Sequence, residues 1–385
     1  MTWRLASVLV AAIVVLATEA CKVRSGSGSF AEGTCVLSAP QPCDGCVDFS
    51  LEARLGSGTK AGDYLDASMV AGYLVRDGIG RYWVGQRDHL KVFDSAGVLA
   101  GRIGRRGQGP MEFLSAYPIA VDSLGQVHVL DNLNGRVSVF DADLALTDQQ
   151  GIPAFTIEMA LMSGGSRYAL SAWIPDARSA GYPIHVLSME EITASLGVLA
   201  DSLAYSAVLE PFDSERLIAI DRSGSILAAR RWAYVVDEWD TNGRRLGRME
   251  GPTLDDGLRG APGPYSKTNP PWNGISDIHI DGSGLVWIHV KVRRPDWDTH
   301  VVETIAPDGS VSLQQGKSAH IYRSRIDVVD RQSCAVVSSS WFEGESVLSS
   351  FLQDGVEHTD GVLIEEIVRS DYADPIANIW HARLR

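Results

Sequence analysis

The chain is short of positive charge: 34 Lys and Arg stand against 48 Asp and Glu, a formal net charge of −14 over 385 residues. A protein this acidic, with no long basic run, is repelled by phosphate backbones, so nucleic acid is excluded as a partner class. Beyond the N-terminus no apolar stretch reaches the roughly 18 residues that a membrane helix needs. Helical periodicity is scarce, and short alternating runs between Gly, Asp and Asn turns take its place, which is the all-β signal. Two common hydrolase signatures, H-E-x-x-H and G-x-S-x-G, are missing. For that chemistry only a triad assembled from distant Ser, His and Asp is left open. With 45% hydrophobic and 21% charged residues the chain nevertheless has the composition of a folded protein, and its length suits one large all-β domain.

What is present at the N-terminus is an export signal. Arg4 is the positive flank, Leu5 to Leu16 an uncharged apolar core of 12 residues, and Thr18-Glu19-Ala20 offers small residues ahead of a cut. Residues 1–20 are therefore expected to be removed. The cut leaves Cys21 first, then Lys22-Val23-Arg24 and Ser-Gly-Ser-Gly-Ser at 25–29, so residues 21–42 read as a flexible tether. A Cys at this place resembles the lipobox of bacterial lipoproteins, although Thr18 stands where that pattern has Leu and Glu19 is unusual. Lipidation of Cys21 and simple secretion both stay open. The expected location is the bacterial cell envelope, lipid-anchored or periplasmic, or the exterior, with a lipid on Cys21 as the only membrane contact.

Cysteine is sparse as well: Cys21, Cys35, Cys43, Cys46 and Cys334. Setting Cys21 aside leaves an even number, which suits an oxidising compartment. Cys43-Asp-Gly-Cys46 is a lone C-x-x-C. Zinc needs two further soft ligands nearby, and neither a second pair nor an H-x₃₋₅-H exists. A redox motif of this kind opens a helix, whereas Val47-Asp48-Phe49-Ser50-Leu51 alternates like a strand. A structural disulfide between Cys43 and Cys46 is the favoured reading, with metal and redox chemistry behind it.

The alternating runs repeat. Leu74-Val75-Arg76-Asp77-Gly78-Ile79-Gly80-Arg81-Tyr82-Trp83-Val84 aligns with units centred on Asp122-Ser-Leu-Gly125, Asp221-Arg-Ser-Gly224 and Asp281-Gly-Ser-Gly284. A degenerate copy runs from Ser163 to Leu170. Each unit is strand, Asp-x-x-Gly turn, strand: Asp bonds its own backbone two residues on, and Gly takes the positive φ that closes the hairpin. A second turn comes in phase at Asp94-Ser-Ala-Gly97, Asp141 and Asp240-Thr-Asn-Gly243. Two hairpins in fixed phase make a four-stranded meander, and such units at about 40–60 residues are the mark of a β-propeller. Five units occupy residues 68 to about 342, the fifth with an insertion at 293–322. The tail supplies a sixth that is one strand short, which Asp48 to Leu55 can complete. The expectation is six four-stranded antiparallel blades over residues 43–385, closed by strands from both chain ends, with seven blades as the alternative.

The run Ile103-Gly-Arg-Arg-Gly-Gln-Gly-Pro-Met-Glu-Phe113, coming after Val92-Phe93-Asp94-Ser-Ala-Gly97, resembles the six-bladed β-propeller proteins of the NHL-repeat-like group, many of them exported bacterial lipoproteins. So do the Cys43-x-x-Cys46 start, the stretch Trp287 to Trp297 and the terminal Ile379-Trp-x-x-x-Leu384. The likeness spans about residues 43–385. Met111 replaces the usual Gly, and the third unit is eroded. The resemblance implies fold and location and says little about chemistry.

Read for chemistry, Gly104-Arg105-Arg106-Gly107-Gln108-Gly109 looks like a phosphate cradle but lacks the Lys-Ser/Thr of a P-loop and the third Gly of a dinucleotide fingerprint. Glu238-Trp-Asp240-Thr-Asn242-Gly243 has the start of a calcium loop, yet Met249 stands at its closing position. His279 and His289 read as packed core histidines. Propeller geometry then gathers the loops between blades, and between strands two and three, around one mouth of the channel. That face collects Arg87, Asp88, Arg105, Arg106, Glu112, Asn132, Asn134, Trp232, Tyr265, Lys267, Trp272, Asn273, Arg294 and Trp297. Exposed Trp and Arg are favoured contact residues. The function expected is an exported, monomeric, non-enzymatic binding or scaffold propeller that holds a protein, peptide or glycan at the channel mouth, without a cofactor. The rival is a metal-dependent lactonase or lyase holding calcium or zinc on channel carboxylates and Asn or His. A component of an envelope assembly without a ligand of its own is a third possibility.

Overall fold

The Asp-x-x-Gly segments are hairpins, and the same carboxylate does two jobs in each. In the first unit one oxygen of Asp77 accepts the backbone N–H groups of Ile79 and Arg81 at 3.2 and 2.8 Å, while the other accepts the indole N–H of Trp83 at 2.9 Å. Asp281 repeats this with Ser283, Leu285 and Trp287, and Asp122 with Leu124, Gln126 and His128. The closing glycines take φ of 88°, 78°, 88° and 89° at Gly80, Gly125, Gly224 and Gly284, where a side chain would be strained. In the fourth unit Leu227 replaces the Trp or His. There Asp221 receives Arg331 Nη1 at 3.2 Å instead, and Arg331 reaches on to Glu238 at 3.1 Å. Each aspartate thus ties a local turn to its sheet.

The computed structural model describes residues 33–58, 62–66, 73–174, 181–197, 215–254, 270–305, 311–315, 318–354, 361–369 and 374–385. The export signal, Cys21 and the Ser-Gly run lie outside the described residues, as do Tyr265 and Lys267. From inner to outer strand, blade one comprises Leu74–Arg76, Tyr82–Gly85, Leu90–Phe93 and Leu99–Ile103. Blade two is Tyr117–Val121, Val127–Asp131, Arg136–Phe140 and Leu146–Gly151, and blade three is Thr156–Leu161, Arg167–Ala172, Ile184–Ser188 and Glu191–Leu196. Blade four is Arg216–Ile220, Ile226–Arg230, Val235–Trp239 and Arg245–Glu250, and blade five is Gly274–Ile280, Val286–Arg293, Tyr322–Asp330 and Ala335–Trp341. Blade six takes Leu348–Phe351, Gly361–Val368 and Ile376–Leu384 from the C-terminus, and its outer strand is Val47–Leu55 from the N-terminus. The fold is a six-bladed β-propeller, not a seven-bladed one.

Six hydrophobic clusters lie one at each seam between neighbouring blades. Trp83, Val127 and Phe140 fill the seam of blades one and two; Leu74, Phe93 and Ile379 fill that of blades six and one. Both faces of every sheet are covered, so central strands such as Tyr82–Gly85 and Val127–Asp131 are buried at every position rather than alternately. Blade five carries the insertion, a 3₁₀ turn at Trp297–His300, a hairpin of Val301–Ile305 with Val311–Gln315, and a helical turn at Ser318–Ile321.

The segment expected as a tether up to residue 42 is ordered from Gly33 onward. Gly33–Val36 adds in parallel to the outer strand of blade four, Cys35 is bonded to Cys334 in the last turn of blade five, and the chain then crosses blade five with Cys43 N–H on the Ser339 carbonyl at 2.8 Å. The sulfurs of Cys43 and Cys46 are also bonded. Residues 33–55 therefore lace blades four, five and six together. A strand edge and an apolar seam, filled by Cys35 and Leu37, outweigh the polar character of the stretch before them.

The lacing makes two predictions. Cys35→Ser should lower stability by about 2–5 kcal/mol in denaturant unfolding, because the bond closes a loop of sequence separation 299, and under reductant, which also opens Cys43–Cys46, wild type and variant should unfold at a common midpoint. Arg331→Met should lower stability by about 3 kcal/mol, since it removes the guanidinium shared by the buried Asp221 and Glu238 carboxylates, and a negligible loss in the same assay would show that the blade four–five ion network carries little.

Candidate functional site

The fold has two distinct faces. The lower face carries the Asp-x-x-Gly turns, and the upper face carries the connections between blades and between strands two and three. The Ile103–Phe113 run is an upper connection from blade one to blade two, folded on itself: Arg105–Arg106 pairs in parallel with Glu112–Phe113. Glu112 accepts Arg105 Nε at 2.9 Å and the Gly109 N–H at 2.9 Å. The Gly109 N–H, with Arg105, holds its carboxyl below the usual glutamate range. Gly107 N–H is spent on the Phe113 carbonyl at 3.2 Å. Two of the glycine amides that would face a phosphate, those of Gly107 and Gly109, are therefore engaged within the loop. Phe113 is buried, and a Cβ on Gly104 would sit 2.5 Å from its ring. Met111, where the resembling proteins have Gly, holds φ 59°.

Other residues of the expected partner face lie on upper connections with differing degrees of freedom. Arg87, Arg105 and Arg106 are exposed. Asp88 accepts His89 Nδ1 at 2.7 Å, Asn132 accepts the Ser115 hydroxyl at 2.5 Å, and Asn134 donates to Asp131 and to the Gly107 carbonyl. Asn273 bridges the Leu254 carbonyl and the Arg293 N–H, both at 2.6 Å, and Arg294 lies 3.6 Å from Asp296. These polar groups hold connections in place. Trp297 does not face outward: it packs on Val301 and Ile321 inside the blade-five insertion. A hydrophobic residue opening a self-contained insertion becomes that insertion's core. Trp232 and Trp272 stay half-buried, edge to face with ring centroids 5.9 Å apart. Two further aromatic pairs on the upper face were not singled out from sequence, Phe155 with Trp173 at 5.4 Å and Tyr73 with Tyr117 at 4.2 Å.

Below that rim the channel opens into a cavity of about 190 Å³ lined by Tyr73, Glu158, Arg231, Asp277, Lys291 and Ser350, among others. Sequence reasoning missed it. Its cause is a set of β-bulges in the inner strands. Ile157 is extra between the Thr156–Ala172 and Glu158–Ser171 pairs, and Ser276 is extra between the Ile275–Val290 and Asp277–His289 pairs. A bulge re-aims the next side chain, and in both blades that side chain is a carboxylate on the channel wall. Asp277 accepts the N–H groups of Ile278 and Phe351 at 2.8 and 2.7 Å, and Arg231 pairs with Glu215 at 2.6 Å. Glu158 and Lys291 make no side-chain hydrogen bond or ion pair among the described residues. These side chains keep some surface open to the cavity, while protein on all sides removes them from bulk water. Burial, then the charge of Asp277, pushes Glu158 up to about 8; burial pushes Asp277 to about 7; burial, then Arg231, pushes Lys291 down to about 8.

The lower mouth is roomier, with adjoining cavities of about 390 and 200 Å³. Its carboxylates are spoken for, however, because Asp122, Asp221 and Asp281 are the turn aspartates. At the upper end, by contrast, Glu158 and Lys291 line the cavity without such a partner among the described residues. Among the described residues no group of three or more His, Cys, Asp or Glu side chains is placed to hold a metal ion.

No protein-family model matches the chain, and no curated protein sequence does. Solved structures do match in shape. A Bacteroides fragilis protein assigned to the exported class aligns over 91% of this chain and 99% of its own at 10% identity, TM-score 0.54. A member of the DUF4221 family from Bacteroides vulgatus aligns over 88% and 99% at 11% identity, TM-score 0.50. The likeness is one of fold. Virginiamycin B lyase from Staphylococcus aureus aligns over 86% and 99% at 10% identity with a TM-score of 0.45, too loose to carry a reaction across.

The shifted groups fix a pH dependence. The folded chain keeps the Glu158 proton to higher pH than the unfolded chain, so this residue's contribution to stability declines as pH rises from 4.5 towards about 8. Lys291 acts oppositely, its contribution recovering between about 8 and 10.5 as the unfolded chain loses its proton. Glu158→Gln should therefore exceed the wild type in stability at pH 8.5, on the order of 2 kcal/mol, with the advantage shrinking towards pH 5. Unfolding measured across that range checks it, and a variant weaker than wild type at pH 8.5 would reveal a paired carboxylate.

Proposed function

We propose that this is an exported, non-enzymatic binding or scaffold propeller of the cell envelope, whose partner site is the upper mouth of the channel. The observation that carries the reading is the contrast between the two mouths: aspartates below are spent on turns, whereas above an aromatic rim surrounds a cavity with unmet polar groups. Rigid aromatic side chains over a concave polar floor suit recognition of a protein segment, a peptide or a glycan. The Trp232 indole N–H, buried and without a hydrogen-bond partner among the described residues, is one such unmet donor. Export rests on the N-terminal signal in the sequence. The strap supports an orientation: Gly33 pairs with Gly247 near the lower end of blade four's outer strand. An anchor on Cys21 would then hold the lower face towards the membrane and the upper mouth away from it.

The metal-dependent lactonase or lyase reading needs a converging set of carboxylate and Asn or His ligands, and would gain support from a bound divalent cation in the purified protein. Binding to arrays of peptides and envelope glycans tests the preferred reading. Ligands held by the wild type should bind at least about tenfold more weakly to a Trp232→Ala, Trp272→Ala double variant with an unchanged unfolding midpoint. Equal binding by the two proteins, or no ligand on either array, would overturn it. Mass spectrometry of the mature N-terminus decides between acylated and free Cys21.

A further inference from the structure

The cavity floor carries one orphan of each sign. Glu158 comes from the inner strand of blade three, and Lys291 from the second strand of blade five. Neither has a hydrogen-bonding or ion-pairing partner among the described residues, although both line the same space of about 190 Å³. The other charged groups there are engaged: Asp277 by two backbone N–H groups, Arg231 by Glu215. A stranded buried charge is costly, and a protein that only needed a filled channel would put apolar side chains at both positions. Here one of them, Glu158, is moreover aimed by a bulge. We infer that the upper channel cavity is a binding site for a small zwitterion of the α-amino-acid type, its ammonium taken by Glu158 and its carboxylate by Lys291, with the Arg231 edge alongside.

Three features narrow the class. The volume lies below the usual range for larger organic ligands, about 300–1,000 Å³, so a molecule of a few heavy atoms or a single residue is what fits. A ligand with one charge only would satisfy one orphan and leave the other stranded. A zwitterion also brings no net charge into an acidic protein, so the global field does not oppose it. Glu158 faces Asp277, Arg231, Glu215 and Tyr73, and Lys291 faces Arg231 and Asp277. Glu158 and Lys291 thus share Asp277 and Arg231 as charged neighbours, and only Glu158 also faces Glu215 and Tyr73. Burial brings the titration of both the Glu158 carboxyl and the Lys291 ammonium to about pH 8. At pH 8, binding a zwitterion therefore moves roughly half a proton off Glu158 and roughly half a proton onto Lys291, whereas an amine alone would only release and a carboxylate alone would only take up.

The inference rests on the upper mouth being a binding site, and the test separates the two. Titration calorimetry of the mature protein against the twenty amino acids, ethylammonium and propionate, at pH 8 in buffers of differing ionisation enthalpy, reads affinity and proton count together. At least one amino acid should bind with net proton exchange near zero. Ethylammonium should bind at least about tenfold more weakly with release, and propionate likewise with uptake, each lacking one charged contact. Glu158→Gln and Lys291→Met should each weaken the amino acid at least about tenfold while folding normally, since each removes a stranded charge. Ethylammonium binding as tightly as the best amino acid, or no saturable binding by any of the twenty, overturns the inference. If rim-dependent peptide or glycan binding survives that outcome, the docking reading stands and only the zwitterion site falls.

Discussion

Everything in this molecule depends on covering both faces of every sheet. A four-stranded meander with apolar residues on both sides cannot stand alone, and a stack of such sheets still leaves two bare ends. Bending the stack into a ring removes the ends. The sixth blade lacks an outer strand until Val47–Leu55 arrives from the N-terminal side of blade one, so the ring is completed by a strand that precedes every other blade strand in the sequence. The segment just before it, Gly33–Val36 with Cys35, extends the same closure to blades four and five. The N-terminal strap is consequently part of the fold.

The ring also divides labour between its two faces. Lower turns must reverse the chain in a few residues, and an aspartate that accepts two amides and a Trp or His N–H does this in three blades, with Arg331 standing in for the fourth. Such groups are satisfied before any ligand arrives. Upper connections have no such requirement and vary from a folded loop at Ile103–Phe113 to the insertion of blade five. Freedom from a structural task is what leaves room for a site.

Within the upper channel the same scaffold sets acid–base character through burial more than through neighbouring charge. For Glu158, Asp277 and Lys291 alike, loss of water is the largest cause of the shift. Of the two carboxyls Asp277 is moved less, because backbone N–H groups compensate it. Glu158 has no such help. The channel therefore holds groups near their titration points at neutral pH, a condition typical of sites and unnecessary for packing.

The repeat, the blade count and the face on which each connection lies were legible in the sequence, because Asp-x-x-Gly hairpins and strand alternation are local properties of a few neighbouring residues. The fate of Asn132 and Asn273 as internal braces was not legible, since Ser115 and the Arg293 N–H reach them from other connections, and Glu112 became a brace only because its own loop folds back on itself. Trp297 was misplaced for the same reason: whether an aromatic faces water or its own insertion depends on how residues 293–322 fold back. The Cys35–Cys334 bond joins residues 299 apart, and nothing local marks it. Glu158 and Asp277 were hidden by the single-residue bulges before them, which shift the two-residue period of a strand and turn a side chain toward the axis. Sequence alone determined the repeating hairpin and hence the ring. Only the tertiary structure decided which charged side chains meet at its centre, because that depends on bulges in strands drawn from different blades.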